Sequence, residues 1–196
     1  MNSHFQPVDL NKAYRLLNHG PTVLVSAGHA GVENVMAAAW ACALDFAPPK
    51  VTVVLDKSTG TRQLVEGSGW FVLQLPTAAQ ARLTHQVGTR SQLDDPAKLA
   101  RIGVQLTRIE GYPAPLVNDC SAWLMCRVID EPHNQNTYDL FIAEVVAAWA
   151  DDRVFKDGHW RYEHADASLR SLHYVAGGHF YTIGEPLVID ERDRLR

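Results

Sequence analysis

VTVVLDKSTGTR, residues 51–62, passes from an apolar strand straight into a hydroxyl-rich, basic turn and on into a helix. Val51, Val53 and Leu55 alternate with Thr52, Val54 and Asp56 at the period of two that gives a strand its two faces. Residues 57–60 break the pattern, and 61–66 read as a helix. A helix start leaves backbone amides without partners. Together with the hydroxyls of Ser58, Thr59 and Thr61 and the cations Lys57 and Arg62, such amides suit a phosphate dianion. The same residues also fit an ordinary N-cap followed by a solvated turn, since Ser and Thr are common capping residues.

Phosphate loops of the nucleotide-binding kinds are absent. No stretch reads GxGxxG or GxxxxGK[ST], whose glycines at fixed offsets let the backbone approach phosphates closely. The nearest, Gly28-His29-Ala30-Gly31, has the wrong spacing and reads as a strand-to-strand turn. A phosphate held here would belong to something other than a Rossmann-bound dinucleotide or a P-loop nucleotide.

The 196 residues are enough for one well-buried domain spanning 1–196, and a hydrophobic content of 46% fits a soluble globular protein. A formal net charge of −4 and scattered basic residues give no drive toward nucleic acid or an anionic membrane, so a small molecule is the expected partner. The N-terminal residues have no signal-like apolar core, and no run approaches the roughly 18 apolar residues of a membrane span. A cytoplasmic location follows as the expectation. Cys42, Cys120 and Cys126 lie in apolar segments and are expected to be buried, reduced thiols rather than disulfides or metal ligands.

Asp9 is placed to cap a short leading helix carrying Leu10, Tyr14 and Leu17 on one side. Strands are expected over 22–27, 35–44, 51–56, 70–75, 103–109, 121–130 and 140–150, with a hairpin over 154–161 about Asp157-Gly158. Helices are expected near 61–66 and 77–86. Most connections are too short for crossover helices, so the fold class is mainly β, an antiparallel β-barrel with flanking helices. Barrel closure removes the exposed edges that such a sheet would otherwise carry.

The order of PTVLVSAG, NVMAAAWACALDFAPP, VTVVLDKSTGTRQLVEGSGWFVLQLP, APLVNDCSAWLMCRVID, TYDLFIAEVVAAW and LHYVAGGHFYTIG resembles the flavin reductase-like family, over about residues 20–185. The resemblance implies an FMN-binding split barrel of Greek-key antiparallel topology. It also implies a homodimer that binds FMN between barrel and partner subunit, with NADH or NADPH as a transient donor. The family's flavin-ring strand falls on Asn34, Val35, Met36, Ala37, Ala38, Ala39 and Trp40. Small side chains there would let a flat ring lie close to the strand, with backbone groups meeting its polar edge; a strand packed tightly against a neighbouring element fits the same residues. The family commonly has Thr at the place of Ala37. Its phosphate turn falls on Asp56, Lys57, Ser58, Thr59, Thr61 and Arg62, the segment already chosen on physical grounds.

A second polar loop, Gly88, Thr89, Arg90 and Ser91, resembles the loop that helps hold the flavin tail, and Lys98 matches a basic position after it. Arg90 can fork onto phosphate oxygens; a solvated surface loop fits these residues equally. His173 and His179 flank a segment resembling the family's C-terminal flavin-side loop and are candidates to face the ring, or are ordinary histidines beside a glycine turn. No HxH, HExxH or CxxC spacing occurs among the nine histidines and three cysteines, so no metal site is expected. Trp123 and Trp149 read as core or dimer-interface residues.

No nucleophile or proton-relay triad is expected, because the flavin would carry the redox chemistry. One reading is an NAD(P)H-dependent flavin reductase or related FMN oxidoreductase acting on a small acceptor. Another is an FMN-binding electron carrier or sensor without rapid turnover, and a third puts a different ligand such as haem in the same barrel. Small barrels are filled by their own side chains, so the ring would lie outside. Ala38, Ala39 and Trp40 would then form an apolar strip for a two-fold partner to cover.

Overall fold

The computed structural model of the chain describes Pro7, Leu16 and residues 20–187. The helix expected behind Asp9 lies outside these residues. The chain first lays down β1 (Val23–His29), β2 (Val32–Ala38), β3 (Ala41–Phe46) and β4 (Pro49–Val54). After the helix α1 (Gly60–Ser68) come β5 (Trp70–Leu75), α2 (Ala81–Thr89) and α3 (Lys98–Ile102). The short pair β6 (Leu106–Thr107) and β7 (Leu116–Val117) leads to β8 (Ala122–Ile129), α4 (Pro132–Tyr138) and β9 (Leu140–Ala150). Seven of these strands form one antiparallel sheet in the spatial order β2-β1-β5-β8-β9-β4-β3.

Sequence neighbours β2 and β3 stand at opposite edges of that sheet, yet only Ala39 and Trp40 separate them. A two-residue link spans at most about 10 Å, so the sheet must curl until its edges approach. The two edges share no ladder, and the result is a split β-barrel with flanking helices. Inward-facing residues close the interior: Val25, Val53, Phe71 and Cys126 are fully buried and Phe141 nearly so. Outside the barrel, Leu24, Val35, Val87 and Cys120 form a second apolar cluster against which α2 and α3 lie. Trp123 and Trp149, opposite each other across β8 and β9, pack on a third cluster, where Trp123 Nε1 donates to the Val117 carbonyl at 2.8 Å.

Turn chemistry closes the hairpins. Ala30-Gly31 and Asp157-Gly158 each take two successive positive φ values, 49° and 80°, then 53° and 79°, as two-residue β-hairpins favour. Asp157-Gly158 joins β10 (Phe155–Lys156) to β11 (His159–Trp160) as expected. Gly177-Gly178 joins a hairpin of β12 (Leu172–Ala176) and β13 (His179–Thr182) that the sequence reading missed.

Several expected elements are corrected. The single strand over 35–44 is two, broken at Ala39-Trp40 where the chain crosses the barrel seam. The strand over 103–109 shrinks to β6, and the helix over 77–86 is a 3-10 turn, Ala78–Gln80, followed by α2. Cys42 is exposed, because β3 is an edge strand with little packed over it, whereas Cys120 and Cys126 are buried thiols whose pKa values burial raises. Among the described residues no helix is long and apolar enough to cross a membrane.

Candidate functional site

The seam of the barrel holds a cavity of about 450 Å³. Its floor is the end of β2 with the link to β3: Met36, Ala37, Ala38, Ala39 and Trp40. Val54 and Asp56, at the exit of β4, and Tyr138 and Asp139, at the exit of α4, close one side. Thr84, His85, Gly88 and Thr89 of α2 close another, and Thr22, Tyr174 and Phe180 supply the rest.

Because β2 is an edge strand, alternate residues turn their backbone groups away from the sheet. Gln92 Nε2 donates to the Glu33 carbonyl at 2.7 Å. The Val35 N–H donates to Asn34 Oδ1 at 2.8 Å, and the Val35 carbonyl accepts from Lys98 Nζ at 2.9 Å. By the same period of two, Ala37 directs its N–H and C=O to that edge, where the cavity begins. Side chains cap the strand up to Val35, and the cavity opens beside the next outward-facing residue.

The placement of the expected ring strand is therefore divided. Met36, Ala37, Ala38, Ala39 and Trp40 line the cavity. The side chains of Asn34 and Val35 do not: Val35 is fully buried, and Asn34 donates to Thr61 Oγ1 at 2.9 Å, tying β2 to α1. Lys98 is only 1% exposed, and burial pushes its pKa down to about 8. It braces β2 and is not an open phosphate ligand.

The residues of the expected phosphate turn fall into two groups. Arg62 Nε donates to Glu66 Oε1 at 2.7 Å, and its other nitrogens reach the Leu55 carbonyl at 3.1 Å, the Gln135 carbonyl at 2.9 Å and Asp139 Oδ1. Its guanidinium lies 5.2 Å from the centre of the Phe141 ring. Burial opposes its charge, but Glu66 and Asp139 outweigh that and raise its pKa. Arg62 clamps α1 to the chain around Asp139, and Thr61 is fully buried and accepts from Asn34.

Of the remaining turn residues Asp56, Lys57, Ser58 and Thr59, only Asp56 lines the cavity. Ser58 donates through both its hydroxyl, at 2.6 Å, and its N–H, at 2.8 Å, to Asp56 Oδ1, and this holds the Asp56 carboxyl below the usual range. Thr59 Oγ1 donates to the Asp56 carbonyl at 2.8 Å. Thr59 thus stands at the N-cap of α1 without capping it, and the helix keeps its first-turn amides free of a side-chain cap. Lys57 Nζ reaches the Asn136 carbonyl at 2.8 Å and Asp139 at 3.5 Å, with its side chain 63% exposed.

Of the second polar loop, Gly88 and Thr89 line the cavity from the last turn of α2, while Arg90 is exposed and Ser91 accepts from the Leu93 N–H at 3.1 Å. Neither Arg90 nor Ser91 reaches the lining. His173 and His179 also fall outside it: the aromatic neighbours Tyr174 and Phe180, paired across the hairpin with centroids 5.2 Å apart, take the cavity face. Strand alternation turns adjacent side chains to the opposite face. Two apolar runs about Gly177-Gly178 were a readable hairpin signal for these aromatics. Tyr138 and Asp139 had no comparable signal. Among the described residues no three His, Cys, Asp or Glu side chains are grouped to hold a metal.

Residues 15–182 match the family model described as the flavin reductase like domain. The chain belongs to the flavin reductase-like family. Its relatives include the uncharacterised protein YddH of Escherichia coli K12, 41% identical over 186 residues, which are 93% of this chain and 97% of YddH. Among solved structures, the chain is similar to an FMN-binding domain of a flavin reductases-like enzyme from Shewanella baltica, with 62% identity, a TM-score of 0.86, and coverage of 93% of this chain and 96% of that one. Flavoredoxin of Desulfovibrio vulgaris shares the fold, at a TM-score of 0.75 and 22% identity over 97% of each chain. In this flavin reductase-like barrel the cavity lies at the seam, where β2 leaves the sheet.

Proposed function

We propose that the seam cavity binds FMN and that the chain is an FMN-dependent oxidoreductase drawing hydride from NADH or NADPH. The observation that carries this reading is the run of small residues Ala37, Ala38 and Ala39 along the cavity, with the edge-facing backbone of Ala37 among them. A planar heteroaromatic ring needs small side chains beneath it and backbone donors and acceptors along one edge. Trp40, Tyr138, Tyr174 and Phe180 supply aromatic and apolar surface around it. The uncapped first turn of α1, with Ser58, Thr59 and Lys57 beside it, suits the terminal phosphate. The similarity, at 62% identity, to the FMN-binding domain from Shewanella baltica supports the same assignment.

Bound FMN would supply the hydride and electron transfer. The chain's own residues hold the ring edge, keep water from one face and set the position of the tail. An anaerobic titration of the FMN-loaded protein tests the donor. The expected result is loss of the oxidised flavin absorbance near neutral pH with NADH or NADPH. Bleaching by dithionite but by neither nicotinamide would contradict the reductase reading and leave an electron carrier.

The same geometry supports a homodimer. Trp40 and Leu44 are each 53% exposed and Phe46 is 91% exposed along the β3 edge, beside the cavity mouth, where Tyr138 is 60% exposed. An unpaired edge strand carrying large apolar side chains calls for a cover. Sedimentation at micromolar concentration is expected to give a dimer, and Phe46→Glu with Leu44→Glu is expected to shift it to monomer with weaker flavin retention. A monomeric wild-type protein that holds FMN tightly would rule out a shared site. The three free thiols fit a reducing compartment, and we place the protein in the cytoplasm.

A further inference from the structure

We propose that Thr84 is a ligand-binding hydroxyl of the seam cavity, a hydrogen-bond partner for the polar edge of the ring lying against Ala37–Ala39; this rests on reading the cavity as an FMN site. Thr84 lies on α2 and is 1% exposed, yet it lines the cavity. Its Oγ1 is sealed from solvent and has no hydrogen-bond partner. A threonine in a helix ordinarily donates to the carbonyl one turn back. Thr89, on the same helix, does so, with Oγ1 2.8 Å from the His85 carbonyl. Thr84 does not.

A buried hydroxyl without a partner is rare in native proteins because it has lost water and gained nothing in return. In the wall of a ligand cavity, the ligand is the partner that resolves this. A threonine hydroxyl both donates and accepts, so it suits either a ring carbonyl or a ring N–H.

The packing of α2 explains why Thr84 shares the cavity with β2. Gly88 follows Thr84 by four residues on the same helix face. A Cβ built on Gly88 would stand 3.0 Å from the Ala37 Cβ, tighter than ordinary contact. Only the pairing of glycine with alanine lets α2 lie this close to β2. That approach brings Thr84 to the edge of the ring site. Ala37, on the strand side, offers no side-chain hydrogen bond, so the side-chain hydroxyl comes from the facing helix.

The test uses Thr84→Val, which keeps the shape and removes the hydroxyl, and Thr84→Ser, which keeps the hydroxyl and removes a methyl. Affinities for FMN and riboflavin are measured by flavin fluorescence, and the midpoint of thermal unfolding is measured on ligand-free protein. Thr84→Val is expected to lose about tenfold in affinity for both flavins alike, since the contact is to the ring, the scale of one hydrogen bond. Its ligand-free midpoint is expected to hold or rise, because the orphaned hydroxyl is gone. Thr84→Ser is expected to bind both flavins as the wild type does. Wild-type affinity in Thr84→Val overturns the proposal, as does a loss of affinity that appears only with a lowered ligand-free midpoint or is shared by Thr84→Ser. Wild-type protein that binds neither flavin overturns the FMN reading itself, an outcome distinct from a wild type that binds and a valine variant that binds equally.

Discussion

Arg62→Ala is expected to cost the fold about 3–5 kcal/mol, the scale for removing one partner of a buried ion pair, and to do so whether or not flavin is present. The Arg62 side chain is 5% exposed and satisfies the Asp139 carboxylate, the Glu66 carboxylate and the carbonyls of Leu55 and Gln135. It therefore fastens the start of α1 to the end of β4 and to the turn after α4. Alanine leaves those acceptors without their donor and uncovers Phe141. The midpoint of thermal unfolding should fall by roughly 10 °C for a chain of this size. Lysine should not rescue it, because one ammonium cannot replace a fork serving four acceptors. A ligand-free midpoint close to that of the wild type, with FMN affinity alone reduced, would instead make Arg62 a phosphate ligand.

Gly88→Val is expected to lower FMN affinity at least about a hundredfold, equivalent to about 2.7 kcal/mol. Even the first added carbon meets Ala37 at 3.0 Å, and the valine methyls extend further into the cavity or lever α2 away from β2. Overpacking of this kind typically costs about 1–3 kcal/mol. Against it stands the gain from removing a glycine within a helix, up to about 1 kcal/mol. The ligand-free variant should therefore lose only modest stability while the flavin site is closed. Equal FMN affinity in wild type and Gly88→Val would put the flavin somewhere other than the seam.

The strands over 70–75 and 140–150 were legible because apolar, β-branched runs end at clear turn or helix signals, and both match the structure residue for residue. The run 35–44 was not. AAAWACAL contains no glycine, proline or asparagine to mark a break, and the break at Ala39-Trp40 is imposed by closure of the barrel. α4 escaped notice because PHNQNTY has a proline suited to a helix start but no apolar stripe. The partners of Arg62 were hidden for a different reason. Its residue type and place suited a phosphate, while the carboxylate that claims it is 77 positions along the chain. Cys42 sits among apolar residues, but local hydrophobicity cannot tell an edge strand from a central one. The floor of the site, residues 36–40, was visible through its small side chains and through the resemblance. The walls were not, because Thr84, His85, Tyr138 and Asp139 reach the cavity only through the packing of α2 and α4.

The central claim is that one FMN binds at the seam against Ala37–Ala39, and a fluorescence titration of FMN with the purified, flavin-free protein tests it most directly. The account predicts saturable quenching with a stoichiometry of one FMN per chain, markedly weaker in Gly88→Val. Absence of saturable quenching by correctly folded wild-type protein would contradict it.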